Sequence, residues 1–149
     1  MFLKLKAAAL RAANLQGISD ATPPQKSTAT PSSTKKAGDD AENTALKHLQ
    51  RAGLRLLQRN YRTPGRGGGE IDLIMRAPDG TTVFVEVRKR STASHGGAAA
   101  SVSVTKQRRI VFAARHYLMR LATPPPCRFD VVTVEYGDVQ WLKAAFDAS

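Results

Sequence analysis

The sequence of 149 residues holds one cysteine, Cys127. An internal disulfide and a cysteine-rich zinc ribbon are therefore excluded. Its three histidines, His48, His95 and His116, are scattered and fit no metal-ligand spacing. Aromatic residues make up only 6%, and Phe84 alone falls in the third predicted strand. That excludes the aromatic-rich strand motif of RRM-type RNA readers and weakens the reading as a basic RNA- or ribosome-associated protein. No apolar run reaches the roughly 18–20 residues that a membrane-spanning helix needs. Acidic residues are the minority, 12 against 23 basic, for a net charge of +11. A small domain so charged attracts polyanions, with nucleic acid the first candidate and an anionic membrane surface the second.

What remains is an ordinary globular composition, 42% hydrophobic and 23% charged, enough for one domain. Residues 1–16 have helix-forming Ala and Leu, but the uncharged run from Ala7 to Leu10 is too short for a secretory signal. Residues 17–37 are rich in Pro, Ser, Thr and Lys and read as a disordered linker. The expectation is an N-terminal extension over 1–37, disordered or partly helical, and a folded domain over 38–149. A lone reduced cysteine and no convincing export signal point to the cytoplasm.

Within the domain, Asp39 and Glu42 resemble a capping box that opens a helix near Gly38. Ala41, Ala45, Leu49 and Ala52 give its buried stripe, and Gly53 stops it. Leu54–Tyr61 reads as a strand. The loop TPGRGGG (63–69) lacks the Lys-Ser/Thr of a phosphate-binding P-loop, and Arg66 is its only charge. Strands follow over Glu70–Arg76 and Thr81–Arg90, joined by Pro78-Asp79-Gly80, the pattern of a type I turn with a glycine bulge. Residues 91–103 read as a flexible loop. Thr105 is expected to cap a helix whose stripe is Ile110, Val111, Ala114, Tyr117, Leu118 and Leu121, ended by Pro124-Pro125-Pro126. Cys127–Tyr136 reads as an interior strand parallel to its predecessor, with Cys127 a buried thiol. Trp141, Leu142, Ala145 and Phe146 read as a short closing helix or extension. The order α-β-β-β-α-β gives a mixed sheet flanked by helices, an α/β fold.

The hairpin loop fixes the register. It pairs Met75 with Val83, Leu73 with Val85 and Ile71 with Val87, all on one face. On the other face it sets Asp72 opposite Glu86, and Glu70 opposite Arg88. Facing carboxylates repel, so such a pair calls for a divalent cation, a basic side chain or a shared proton. Mg²⁺ suits one or two carboxylates and can polarise a phosphodiester. On spacing alone, the pair is equally readable as solvated acids bridged by Arg88 or Lys89. Glu42 reads more readily still as a capping residue, and Asp130 as a local partner of Arg128 rather than a metal ligand.

Several separated runs carry a resemblance: Gly38…Glu42…Ala45, Asn60-Tyr61-Arg62, GEIDLI (69–74), VFVEVRKR (83–90), Lys106, Arg109, Ala113 and RFDVV (128–132). Over about 38–146 the chain resembles the YraN-like uncharacterised bacterial family, which is similar to the PD-(D/E)XK restriction-endonuclease-like superfamily, including archaeal-type Holliday junction resolvases. The resemblance implies a restriction-endonuclease-like core with the element order read above. It implies that Asp72 and Glu86 hold Mg²⁺ or Mn²⁺, that Glu42 is an additional acidic member of the site, and that Arg88 stands where the motif has lysine. Arg88 can clamp phosphate but cannot act as a base. Arg66, Lys89, Arg90, Lys106 and Arg109 are the candidates for phosphate contacts. Two functions compete: a metal-dependent nuclease-like protein acting on DNA, and a non-catalytic nucleic-acid-binding module that keeps the nuclease fold.

Overall fold

The structure is a computed structural model that describes residues 32–90 and 102–149. The expectations for residues 1–31 and for most of the 91–103 loop, His95 included, lie outside the described residues. Seven elements follow one another: α1 (Ser33–Arg51), β1 (Arg55–Arg62), β2 (Glu70–Arg76), β3 (Thr82–Lys89), α2 (Val104–Leu118), β4 (Cys127–Glu135) and β5 (Asp138–Phe146). The strands form a single sheet in the order β1-β2-β3-β4-β5. β3 and β4 run parallel and every other neighbouring pair runs antiparallel, so the fold is α/β with a mixed sheet.

The Ala77–Thr81 hairpin forms as its residues dictate. Ala77 and Thr81 bond across the loop at 2.9 Å, Gly80 takes a φ of 90°, and Asp79 Oδ1 accepts the Thr81 N–H at 2.9 Å. The ladder then runs Arg76–Thr82, Met75–Val83, Ile74–Phe84 and Leu73–Val85, the register expected from the loop. Leu73, Met75, Val83 and Val85 face α1, where Ala41, Ala45 and Leu49 complete one core. Ile74, Phe84, Phe129 and Val131 face α2, where Ile110, Ala113 and Ala114 complete the other. Ile71 departs from the expected alternation, because it packs with Tyr61 and Ile74 in the α2 core. The paired ladder ends at Leu73–Val85, and Asn60 opposite this bend has a left-handed φ of 49°. The chain therefore turns as it leaves the pairing.

Four local expectations are corrected. Helix α1 starts at Ser33, inside the stretch read as linker, with Ser32 as its N-cap residue. Asp39 is thus within the helix and forms no capping box, which leaves Glu42 available to a site. Helix α2 is capped by Ser103, whose hydroxyl accepts the Lys106 N–H at 3.2 Å, and Thr105 lies in the first turn. Cys127 is exposed at the start of β4. The closing segment is a strand, because Tyr136 and Gly137 both take positive φ (47° and 86°) and fold the chain back on β4. The far edge of β4 thereby gains a hydrogen-bonding partner, and a helix there would have left it open.

Gly69 is fixed by close packing. A Cβ at this position would run into the backbone carbonyl of Arg109 and crowd Ala113. This contact holds the loop carrying Arg66 against α2. Gly69→Ala is expected to lower stability by about 3 kcal/mol, because backbone on both sides leaves nothing to yield. Urea denaturation checks it, and an unchanged midpoint would show that loop and helix are not in contact.

Candidate metal centre

Asp72 stands in β2, just past the last paired rung, and Glu86 in β3. The Asp72 carboxylate takes over the role of the ladder there, since its Oδ2 accepts the Val87 N–H at 2.8 Å. One side chain thus satisfies the backbone that the parting strands expose. Glu86 is buried, with a side chain only 4% exposed. Its Oε1 faces Lys106 Nζ at 3.5 Å and Arg88 Nη1 at 3.8 Å. Its Oε2 is buried with no hydrogen-bond partner.

These surroundings shift the acids strongly. Burial, and then the neighbouring Asp72 charge, push the Glu86 pKa up to about 8. Burial also raises Asp72, against the pull of the Val87 N–H and Lys106. At neutral pH Glu86 is therefore largely protonated beside Asp72. Glu42, on α1, is raised by burial and by the Asp72 charge, and its Oε2 meets Arg59 Nη2 at 3.4 Å. The helix thus brings a third carboxylate within the field of the pair.

An orphaned buried carboxylate oxygen beside a second carboxylate is the donor set that a hard divalent cation completes. Asp72 and Glu86 fit Mg²⁺ or Mn²⁺ in that sense, with water and phosphate oxygens supplying the remaining ligands. Among the described residues no group of three or more His, Cys, Asp or Glu side chains is arranged to hold a metal. Glu42 accordingly lies in the electrostatic surroundings of the pair and outside a compact ligand set.

The other sequence candidates fall into two places. Arg88 and Lys106 meet at Glu86, and Arg109 follows Lys106 on α2, next to the loop of Arg66 through the Gly69 contact. Lys89, the last residue of β3, and Arg90 just beyond it line a different cavity with α1. Glu70 is not paired with Arg88 as the register suggested. It bonds Arg62 of β1 at 3.0 Å, because β2 stays paired with β1 after leaving β3. Arg59 was not expected at the site. It lies in LRLLQRNY just past the bulge between Leu56 and Gln58, and only tertiary packing brings it to Glu42.

Asp130, His116 and His48 sit in packing and hydrogen-bond contacts away from Glu86. Asp130 is fully buried and accepts from Arg128 Nε at 3.0 Å, as its neighbour in sequence suggested. It also accepts from Trp141 Nε1 and from the Ala144 N–H, both at 2.9 Å. His116 Nδ1 is hydrogen-bonded to the Tyr61 hydroxyl, and His48 packs edge-on to Trp141. No helix among the described residues is long and apolar enough to cross a membrane.

Comparison with known proteins adds a family and no activity. The model of "Uncharacterised protein family UPF0102" matches residues 41–134. A UPF0102 protein of Albidiferax ferrireducens is 83% identical over 77% of this chain and 90% of its own length. Another from Polaromonas sp. is 64% identical over 85% of this chain and 93% of its own, and one from Paracidovorax citrulli is 69% identical over 77% and 85%. Among solved structures, the crystal structure of SSO0001 is similar over 78% of this chain and 55% of its own length, at 12% identity and a TM-score of 0.39. That likeness is too loose to bear on fold or function.

Proposed function

This chain belongs to the uncharacterised protein family UPF0102, and we propose that it is a metal-dependent nuclease-like protein that hydrolyses DNA phosphodiesters. The observation that carries this reading is the buried, unpartnered Glu86 Oε2 beside the Asp72 carboxylate. Burying one acid against another is unfavourable unless a cation or a proton relieves it. Asp72 and Glu86 would hold Mg²⁺ or Mn²⁺, which when bound supplies a Lewis acid and lowers the pKa of a water. Binding of such an ion requires Glu86 to give up its proton, so metal affinity rises with pH up to about 8.

The surrounding cations divide the remaining work. Arg88, nearly half exposed at the mouth of the site, clamps phosphate with two parallel donors. Lys106 reaches Glu86 from the opposite element and favours its ionised form. It thus supplies an ammonium group where Arg88 replaces the expected lysine. Arg66 and Arg109 extend the positive surface for backbone contacts, which are blind to base sequence. Glu42, held by Arg59, places a third carboxyl group next to Asp72.

The test is cleavage of duplex, flapped and branched DNA with Mg²⁺ or Mn²⁺. Asp72→Asn keeps the acceptor for the Val87 N–H and is expected to slow cleavage by more than the roughly 10–100-fold that losing an outer-shell partner costs. Equal rates for wild type and variant, or cleavage persisting in EDTA, would overturn the reading. Arg88 in the lysine position favours a second reading, a binding module without hydrolysis. That module binds DNA in EDTA and cleaves none of the three substrates.

A further inference from the structure

Tyr136 stands 84% exposed at the tip of the β4–β5 hairpin. Glu135 pairs with Asp138, so Tyr136 and Gly137 form a two-residue turn. Both take positive φ, 47° and 86°, as a type I′ turn requires. Asn, Asp or Gly suits the first of those positions, whereas a bulky side chain is strained there. A large ring held in solvent on strained backbone is better explained by something that covers the ring than by the turn itself.

The ring borders a cavity of about 440 Å³, which Lys89, Arg90, Val134, Thr44 and Asp40 also line. An aromatic face for stacking, two cations and an acceptor wall match the parts of a nucleotide. The base stacks, the phosphates meet the cations, and an exocyclic amine meets Asp40. The volume is that of a small-molecule pocket and falls far short of a groove for duplex.

We infer that this cavity seats one unpaired nucleobase, stacked on Tyr136 with its flanking phosphates on Lys89 and Arg90. The inference rests on the phosphodiester reading above and narrows its substrate to nucleic acid with a single-stranded segment. Two elements connect the seat to the carboxylates. On β3, Lys89 lies three residues and roughly 10 Å beyond Glu86, with Lys89 on the α1 face of the sheet and Glu86 on the α2 face. On α1, Ala41 and Thr44 of the cavity bracket Glu42. A strand anchored by its base at Tyr136 is thereby led along α1 toward Glu42 and Asp72. A base still paired in duplex cannot reach the ring.

The experiment is fluorescence anisotropy in EDTA, with labelled oligo-dA, oligo-A and a blunt duplex. Tyr136→Asn removes the ring and places a residue the turn prefers, so the variant folds at least as well as wild type, which thermal melting verifies. Its affinity for single strands falls about tenfold, while duplex affinity changes by less than about twofold. Tyr136→Trp restores single-strand binding. Whether oligo-dA or oligo-A shows the larger Tyr136-dependent loss identifies the sugar, and either result supports the seat. No loss for Tyr136→Asn, or equal losses on single strand and duplex, overturns it, and so does a loss that Tyr136→Trp fails to restore. The two readings fail separately. A Tyr136-dependent loss without any metal-dependent cleavage removes the hydrolytic reading alone, and cleavage without a Tyr136-dependent loss removes the seat alone.

Discussion

Glu86→Gln is expected to unfold at a higher temperature than wild type at pH 8–9 while losing metal-dependent cleavage. The pKa of Glu86 is pushed up to about 8, first by burial and then by Asp72. In the unfolded chain it titrates near the ordinary glutamate value. Below that ordinary value both states are protonated and the group does not affect stability's slope. Between it and about pH 8 the folded state keeps a proton that the unfolded state has lost, so stability falls as pH rises. Above about pH 8 the folded protein carries a buried charge beside Asp72, at a cost of roughly 3–5 kcal/mol relative to low pH. Glutamine resembles the protonated acid in shape and carries no charge at any pH. The variant should show a flat stability profile where wild type declines, measured by thermal melts across pH 5–9. Mg²⁺ should raise the melting temperature of wild type, most strongly near pH 8, and leave Glu86→Gln unmoved. Parallel pH profiles for the two proteins would mean that Glu86 is not the destabilised acid, and the metal site would lose its physical basis.

Asp130→Ala is expected to do the opposite, with a large loss of stability and no gain at any pH. Asp130 is buried at the parallel edge between β3 and β4, and its two oxygens are shared by Arg128, Trp141 and the Ala144 N–H. The Ala144 backbone has a left-handed φ of 50° where the β4–β5 register shifts between Phe129 and Val131. One carboxylate therefore satisfies a charge, an indole N–H and the irregular backbone of the edge strand. Removing it leaves the partly buried guanidinium of Arg128 without its anion, a change that costs about 3–5 kcal/mol. That corresponds to a fall of roughly 10–20 °C in melting temperature for a domain of this size. A fall of only a degree or two would show that water replaces the carboxylate without penalty and that β5 is held by its ladder alone. The contrast between the two acids is instructive. Both are buried, but Asp130 is surrounded by donors, whereas Glu86 Oε2 faces none. The satisfied acid holds the fold together, and the frustrated one is the candidate for chemistry.

Local residue pattern carried a large part of this architecture. Pro78-Asp79-Gly80 closed the hairpin and set its register, because the turn residues and the two-residue alternation of Leu73, Met75, Val83 and Val85 agree. The Val-rich run after Cys127 marked an interior strand, and the intervening helix required it to lie parallel to β3. Even the closeness of Asp72 and Glu86 followed from counting outward from the turn. Counting failed one step later. It assumed that the ladder continues past Leu73 and Val85, and so mispaired Glu70 with Arg88 and misplaced Ile71.

Tertiary structure decided the rest, for reasons that lie between elements. The helix start moved from Gly38 to Ser33 because propensity continues smoothly through Thr34-Lys35-Lys36-Ala37, and only the completed helix sends Glu42 to Asp72 rather than to its own cap. The last strand looked helical because Trp141-Leu142 and Ala145-Phe146 recur at nearly helical spacing, yet an unsatisfied β4 edge needed a neighbour. The approach of Lys106 to Glu86, of Arg59 to Glu42 and of Tyr136 to Lys89 joins residues that are remote in the chain. The sequence by itself determined which acids and bases exist and along which strands they alternate. Packing of helices onto the sheet determined which of them lose water, and loss of water is what turns a surface charge into a raised pKa and a site for a cation.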